Sequence, residues 1–178
     1  MNRPVRTTIV FGLVSAVLIF PVVEVFTNRW GWSLSFKVTL WADLAVYAAL
    51  LARWSGRSPS AIVFPLLILL GTALWPWSYA GFFLLGLGTL SWIRSGICFK
   101  APPLRLIFAE TVTMAGGAGL VAAMGPSAPL SWSLALWLFF LVQTLYFFIM
   151  PGLAEKSNTG ACGDAFEAAS REAEKILG

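Results

Sequence analysis

The chain has no histidine and few charged residues. Among its 178 residues, 11% are Asp, Glu, Lys or Arg, less than half of the roughly 25% that is usual in soluble domains. The absence of histidine argues against haem b and excludes histidine-ligated zinc and histidine-based catalytic triads. The two cysteines, Cys98 and Cys162, lie far apart and form no CxxC motif. We therefore predict no disulfide framework and no metal site.

Apolar residues dominate the sequence. They make up 58% of the chain, and the mean hydropathy is +0.81. A soluble domain of this length cannot cover so much apolar surface. The composition predicts an all-α integral membrane protein, a six-transmembrane-helix bundle within residues 1–151. The apolar runs place its spans at about residues 8–27, 36–54, 61–77, 78–93, 104–125 and 130–150.

The third and fourth predicted spans are short and meet at Pro76. A single helix through both would be too long for one crossing, and the proline interrupts it. Two separate spans joined by a turn at the headgroup level are one interpretation. A re-entrant hairpin over the same residues is the other. In both cases the two ends of the pair return to the same side of the membrane, so the rest of the topology is unaffected.

Basic residues indicate the orientation. With the N-terminus inside, ten Lys and Arg residues fall on the inner side and two, Arg29 and Lys37, on the outer side. The positive-inside rule then predicts cytoplasmic termini in a bacterial-type inner membrane. This topology also accounts for the net charge of +4. No aromatic-basic module is present, so we expect lipid and protein partners and no nucleic acid.

The C-terminal segment changes in character. Residues 152–163 read as a flexible linker, and residues 164–178 as a short cytoplasmic amphipathic helix. This helix either rests on the inner ends of the bundle or docks a partner protein. Its apolar stripe, the candidate docking surface, consists of Phe166, Ala169, Ala173 and Ile176.

An outer polar cluster is predicted where the first two spans meet. Glu24 lies near the outer end of the first span, and Asp43 lies in the outer half of the second. Thr39, Asp43 and Tyr47 share one helix face because they are spaced four residues apart. Glu24, Asp43 and Tyr47 are therefore candidate ligands for a cation or a proton. The alternative is that the two carboxylates pair with the basic residues of the outer loop.

An inner polar cluster is predicted near the cytoplasmic side. Glu110 of the fifth span is expected to pair with Arg94 at the inner end of the fourth span. Gln143 and Tyr146, three residues apart in the sixth span, reach a similar depth. The four residues form either a buried network that holds the helices in register or a binding or proton-relay site.

Small residues follow Glu110 along the fifth span. The pairs Thr113-x-x-x-Gly117 and Ala115-x-x-x-Gly119 match the pattern that allows membrane helices to approach closely. We expect the fifth span to pack centrally among the others.

These patterns favour a non-catalytic role. No established catalytic motif is present, and Cys98, although close to Arg94, has no partnered base. We predict no catalytic residues and expect a membrane subunit or anchor of a larger complex. An association with redox partners or a quinone is compatible with this role, because a quinone site needs no histidine. The alternative is a small carrier that uses intramembrane carboxylates to couple a cation or proton to a small solute.

Overall fold

The computed structural model describes residues 3–75, 78–99, 102–124 and 129–150, and within these ranges the protein is helical without any strand. This confirms the predicted all-α class. The elements are α1 (Arg3–Trp30), α2 (Trp32–Trp54), α3 (Ser60–Ala73), α4 (Tyr79–Ser91), a π-helix (Trp92–Cys98), α5 (Pro103–Met124) and α6 (Pro129–Ile149).

Several helices of the described part have the length and hydropathy of membrane spans. Three qualify by themselves: α2, α4 continued by the π-helix, and α6 from Leu130. Helix α1 is a fourth candidate if its two parts, on either side of a 45° bend, form one span. The bend lies at Pro21, where the proline removes a backbone hydrogen-bond donor. Helix α3 has 14 residues and is about 21 Å long, less than the ~30 Å hydrocarbon core. The chain is thus compatible with a membrane protein.

Several helix boundaries differ from the predicted spans. The fourth span was predicted to end at residue 93, but the π-helix continues it to Cys98. The first two spans were predicted to be joined by an outer loop over residues 28–35. In the structure, a single residue, Gly31, separates α1 from α2, and its φ of 77° lies in the left-handed region that glycine tolerates. Arg29, which lay in the predicted loop, is consequently a helical residue, and Lys37 lies within the first two turns of α2.

The helices pack closely where side chains are small. Helix α6 packs against both α1 and α5. A Cβ atom added at Gly12 would lie 2.5 Å from Cβ of Phe140. The backbone of α1 therefore lies directly against the first side-chain atom of Phe140 in α6. In α5, Gly117 faces Leu87 and Phe139, whereas the position of Gly119 is open. Only one of the two predicted small-residue faces is therefore packed within the described part of the chain.

The outer surface of the bundle is apolar. Large hydrophobic side chains are exposed on several helices, among them Val17 at 65%, Phe64 at 63% and Leu104 at 83%. An apolar surface of this extent requires lipid or a partner protein to cover it. The predicted linker 152–163 and the predicted helix 164–178, with Phe166, Ala169, Ala173 and Ile176, lie outside the residues that the structure describes.

Candidate functional site

A buried arginine is the centre of the inner polar cluster. Arg94 lies in the π-helix and is 2% exposed. Its Nε donates to Oε1 of Glu110 at 3.0 Å, and its Nη2 donates to Oε2 at 2.6 Å. This two-point arrangement is the strong form of an arginine–carboxylate pair. The structure therefore joins the π-helix to α5 through opposite charges.

Three further groups surround the same guanidinium. Nη2 of Arg94 also donates to Oγ1 of Thr113 at 2.6 Å, and Nη1 donates to Oε1 of Gln143 at 2.5 Å. The ring of Tyr146 lies beneath the guanidinium, with its centroid 4.1 Å from Cζ, a cation–π distance. All four residues of the predicted inner cluster are thus in contact, and together they connect the π-helix, α5 and α6.

Thr113 is the member that the sequence analysis did not assign to this cluster. It lies three residues after Glu110, on the same face of α5, and that spacing could have indicated it. Its hydroxyl accepts from Arg94 and donates to the Ala109 carbonyl at 2.9 Å. The threonine therefore satisfies a third N–H of the arginine without leaving a polar atom of its own unpaired.

Two polar groups beside the arginine have no partner in the described part of the chain. They are Nε2 of Gln143 and the hydroxyl of Tyr146, and both are buried. Both are donors, so they suit an acceptor such as a water molecule or a carbonyl oxygen. The charges of Arg94 and Glu110 neutralise each other, and the cluster as a whole is closed to solvent.

The structure does not bring the predicted outer cluster together. The Asp43 carboxylate contacts Ser15 of α1, whereas the Tyr47 hydroxyl lies beside Thr8. Glu24 is exposed and lies nine residues beyond Ser15 along α1, a rise of about 14 Å. The three predicted ligands therefore lie at three different levels of the bundle.

Tyr47 belongs to the aromatic core. Its ring stacks on Phe11 with centroids 5.7 Å apart and meets the edge of Phe140 at 5.1 Å. The side chain is fully buried. Contacts of this kind explain the position of the ring, whereas the hydroxyl is buried without a hydrogen-bond partner among the described residues.

Lys37 also has a different neighbour from the expected one. It is 3% exposed, and its Nζ donates to the Trp75 carbonyl at 3.0 Å, just beyond the C-terminal end of α3. Free carbonyls at a helix C-terminus attract a cation. Within the described ranges, the one ion pair is that between Arg94 and Glu110. The alternative pairing of Glu24 or Asp43 with Arg29 or Lys37 is therefore not formed there.

Asp43 lies at the midpoint of α2, because this helix begins at Trp32, four residues before the predicted span. Trp32 and Trp54, the two ends of the helix, are each eleven positions away from it along the chain, or about 16 Å. Its Oδ2 is buried, as is Oγ1 of Thr39 one turn earlier, and neither atom has a hydrogen-bond partner among the residues described. The sequence analysis identified Asp43 as a candidate ligand but not its lack of partners.

Comparison with protein-family models, with curated proteins and with solved structures gives no match for this chain. The function is therefore argued from the geometry of the two sites.

Proposed function

We propose that this protein is a non-catalytic integral membrane subunit or anchor of a larger membrane complex. The observation that carries the proposal is the closed state of the inner cluster. Arg94 is buried and donates four hydrogen bonds to Glu110, Thr113 and Gln143 of its own chain. An arginine that binds a substrate needs open N–H groups, whereas one that holds helices in register does not.

The proposal includes a topology of six spans in a bacterial-type inner membrane with both termini in the cytoplasm. Its support is the excess of basic residues on one side, ten against two, together with the apolar helices of the described part. Helices α3 and α4 form the adjacent short pair on either side of Pro76. The predicted C-terminal helix, residues 164–178, supplies the docking surface for a soluble partner.

We further propose that the complex binds a quinone next to Gln143 and Tyr146. Nε2 of Gln143 and the hydroxyl of Tyr146 are donors without a partner in the described part of the chain, and a quinone carbonyl is an acceptor. Quinone analysis of the purified particle tests this part. A quinone that co-purifies with the wild type and is lost in Gln143→Leu supports it, and equal quinone content in both contradicts it.

The experiment for the subunit role is mild extraction from the native membrane, followed by native mass spectrometry and an absorption spectrum. We expect a stable heteromer, and coloured partners would indicate electron transfer. Deletion of residues 164–178 should reduce the size of the particle, because it removes the docking helix. A colourless monomer or homo-oligomer of the 19.3 kDa chain would contradict the proposal.

A second candidate function is a small carrier for a cation, or for a solute coupled to a cation or proton. It is favoured by one observation, the carboxylate of Asp43 without a hydrogen-bond partner for Oδ2 among the described residues. Reconstituted vesicles distinguish the two functions. A carrier should move cations or protons across the vesicle membrane and lose this activity in Asp43→Asn, whereas an anchor should show none.

A further inference from the structure

We propose that Asp43, Thr39 and Ser15 form a binding site for a single monovalent cation, a proton or Na⁺, between α1 and α2. This site is separate from the cluster around Arg94. It rests on the membrane placement of α2 in the proposed function but requires neither the anchor role nor transport.

The Asp43 carboxylate lies deep in its helix. Asp43 occupies the centre of α2, a helix that is long and apolar enough to cross the membrane. A charge is most costly at the middle of a span, where it needs a counter-charge or must be neutralised. Oδ2 of Asp43 is buried without a partner in the described ranges, and no basic group there lies within 4 Å of the carboxylate.

The hydroxyl of Thr39 differs from most other hydroxyls in these helices. Serine and threonine hydroxyls inside helices commonly donate to a carbonyl of the preceding turn. Many hydroxyls of this protein do so, namely those of Thr8, Thr27, Ser35, Thr72, Thr89, Ser95, Thr113 and Thr144. Thr39 is 8% exposed, yet its Oγ1 has no partner among the described residues. Its oxygen is therefore available one helical turn from Asp43.

The charged and ionisable side chains around Asp43 lie elsewhere or are already paired. In α2 itself, Lys37 is held by the Trp75 carbonyl and Tyr47 is packed among aromatic rings. In the π-helix, Arg94 forms an ion pair with Glu110. In α1, the nearest charged side chains are Arg6 and Glu24, nine residues before and nine residues after Ser15, or about 14 Å away along the helix.

The remaining neighbours of α2 supply no charge. Helix α3 has no ionisable side chain, and α4 has one, Tyr79, whose ring lies against Phe36 near the start of α2. Helix α6, whose Phe140 meets Tyr47, also has one, Tyr146, and its ring lies against Arg94. None of these groups therefore provides a counter-charge at the level of Asp43.

The chemistry of the donor set selects the ligand class. A carboxylate and two hydroxyls are hard oxygen ligands, which suit a proton or an alkali cation rather than a soft metal. One positive charge neutralises the single carboxylate, whereas a divalent ion would leave a net charge at the middle of the span. A bound Na⁺ takes both the carboxylate and the Thr39 oxygen as ligands, whereas a proton on Asp43 neutralises the carboxylate alone.

Thermal unfolding of the purified full chain in detergent tests the Na⁺ form. NaCl replaces choline chloride at constant ionic strength, with Asp43→Asn as the variant and Glu24→Gln as a control of equal charge change at an exposed site. We expect a saturable rise of Tm with Na⁺ in the wild type and in Glu24→Gln. Asp43→Asn should lose this rise, and Thr39→Val should need a several-fold higher Na⁺ concentration.

Infrared spectroscopy of the same samples tests the proton form. If the ligand is a proton, Tm will not respond to Na⁺, but the wild type will show the carbonyl band of a protonated carboxyl group near neutral pH. Asp43→Asn should remove that band, and Glu24→Gln should keep it. If neither the Na⁺ response nor the band depends on Asp43, the proposal is overturned. Should Asp43→Asn fail to fold, the wild-type band and the Thr39→Val and Ser15→Ala titrations decide between the same outcomes.

Discussion

At the scale of single residues, the burial of Arg94 is the most demanding feature of this protein. A buried guanidinium needs several acceptors in one plane, and Glu110, Thr113 and Gln143 supply them from two helices. A lysine has a single ammonium group and could not reach acceptors in these different directions. The geometry therefore explains why an arginine, and not any basic residue, stands at this position.

The variant Glu110→Gln should lower the stability of the bundle. It leaves Arg94 buried without a counter-charge, which costs about 3–5 kcal/mol for pairs of this kind. Thermal unfolding in detergent should therefore show a clear fall in Tm. Glu24→Gln, at an exposed position, should leave Tm almost unchanged. A normal Tm in Glu110→Gln, together with the loss of pH-coupled transport in vesicles, would instead identify Glu110 as a relay residue.

A paired substitution separates the charge from the packing. Replacing both partners, as in Arg94→Met with Glu110→Leu, removes the buried charges together, and such replacements are often neutral or stabilising. We expect the double variant to recover most of the Tm that Glu110→Gln loses. A double variant less stable than Glu110→Gln would show that the hydrogen bonds from Arg94 to Thr113 and Gln143 contribute more to stability than the balance of charge does.

At the scale of elements, small residues decide which helices approach closely. The contact between Gly12 and Phe140 brings α1 against α6, and Gly117 lets α5 pack against Leu87 and Phe139. Gly119, two residues further, faces open space. One glycine of α5 therefore allows close packing, whereas the other contacts nothing. The rotation of α5 about its axis decides which of the two faces its neighbours.

The variant Gly12→Ala should destabilise the contact between α1 and α6. The added methyl group would lie 2.5 Å from Cβ of Phe140, an atom that no rotamer change can move. Overpacking of this kind costs about 1–3 kcal/mol. Gly88→Ala is the matched control, because nothing lies within 4 Å of its position in α4.

The control should change stability in the opposite direction. Alanine is favoured over glycine inside a helix by about 0.5–1 kcal/mol, so Gly88→Ala should be neutral or slightly stabilising. Equal Tm values for Gly12→Ala and the wild type would contradict the close approach of α1 and α6.

At the scale of the whole molecule, the proposed topology specifies on which side of the membrane each turn of the chain lies. The proposed topology places the turn between α2 and α3 on the same side as both termini. The junction of α1 and α2, at Gly31, lies on the opposite side. Both positions are exposed in the structure, and the proposed topology places them in water on opposite sides of the membrane.

Cysteine labelling measures this topology directly. In a chain without its natural cysteines (Cys98→Ser, Cys162→Ser), Ser58→Cys should react with a membrane-impermeant maleimide only in inside-out vesicles. Asn28→Cys should react only in right-side-out vesicles or intact spheroplasts. Labelling of both positions from the same side would contradict the predicted orientation and span count.

The sequence by itself determined the helical class and the membrane character of the chain. Apolar runs of this length must pair their backbone groups internally, and helices are the local way to do so. Residue type and depth also sufficed to select Arg94, Glu110, Gln143 and Tyr146 as neighbours. Unpaired polar groups within apolar runs are few, and counting residues along the helices places these four near one level.

Only the tertiary structure decided how the helices are rotated and where they end. The rise per residue gives the depth of a side chain but not the direction in which it points across the bundle. Packing of Phe11 and Phe140 around Tyr47 removed that residue from the Asp43 site. The extension of α2 to Trp32 moved Asp43 to the centre of the helix. These outcomes depend on contacts between residues far apart in the chain, which hydropathy and spacing do not encode.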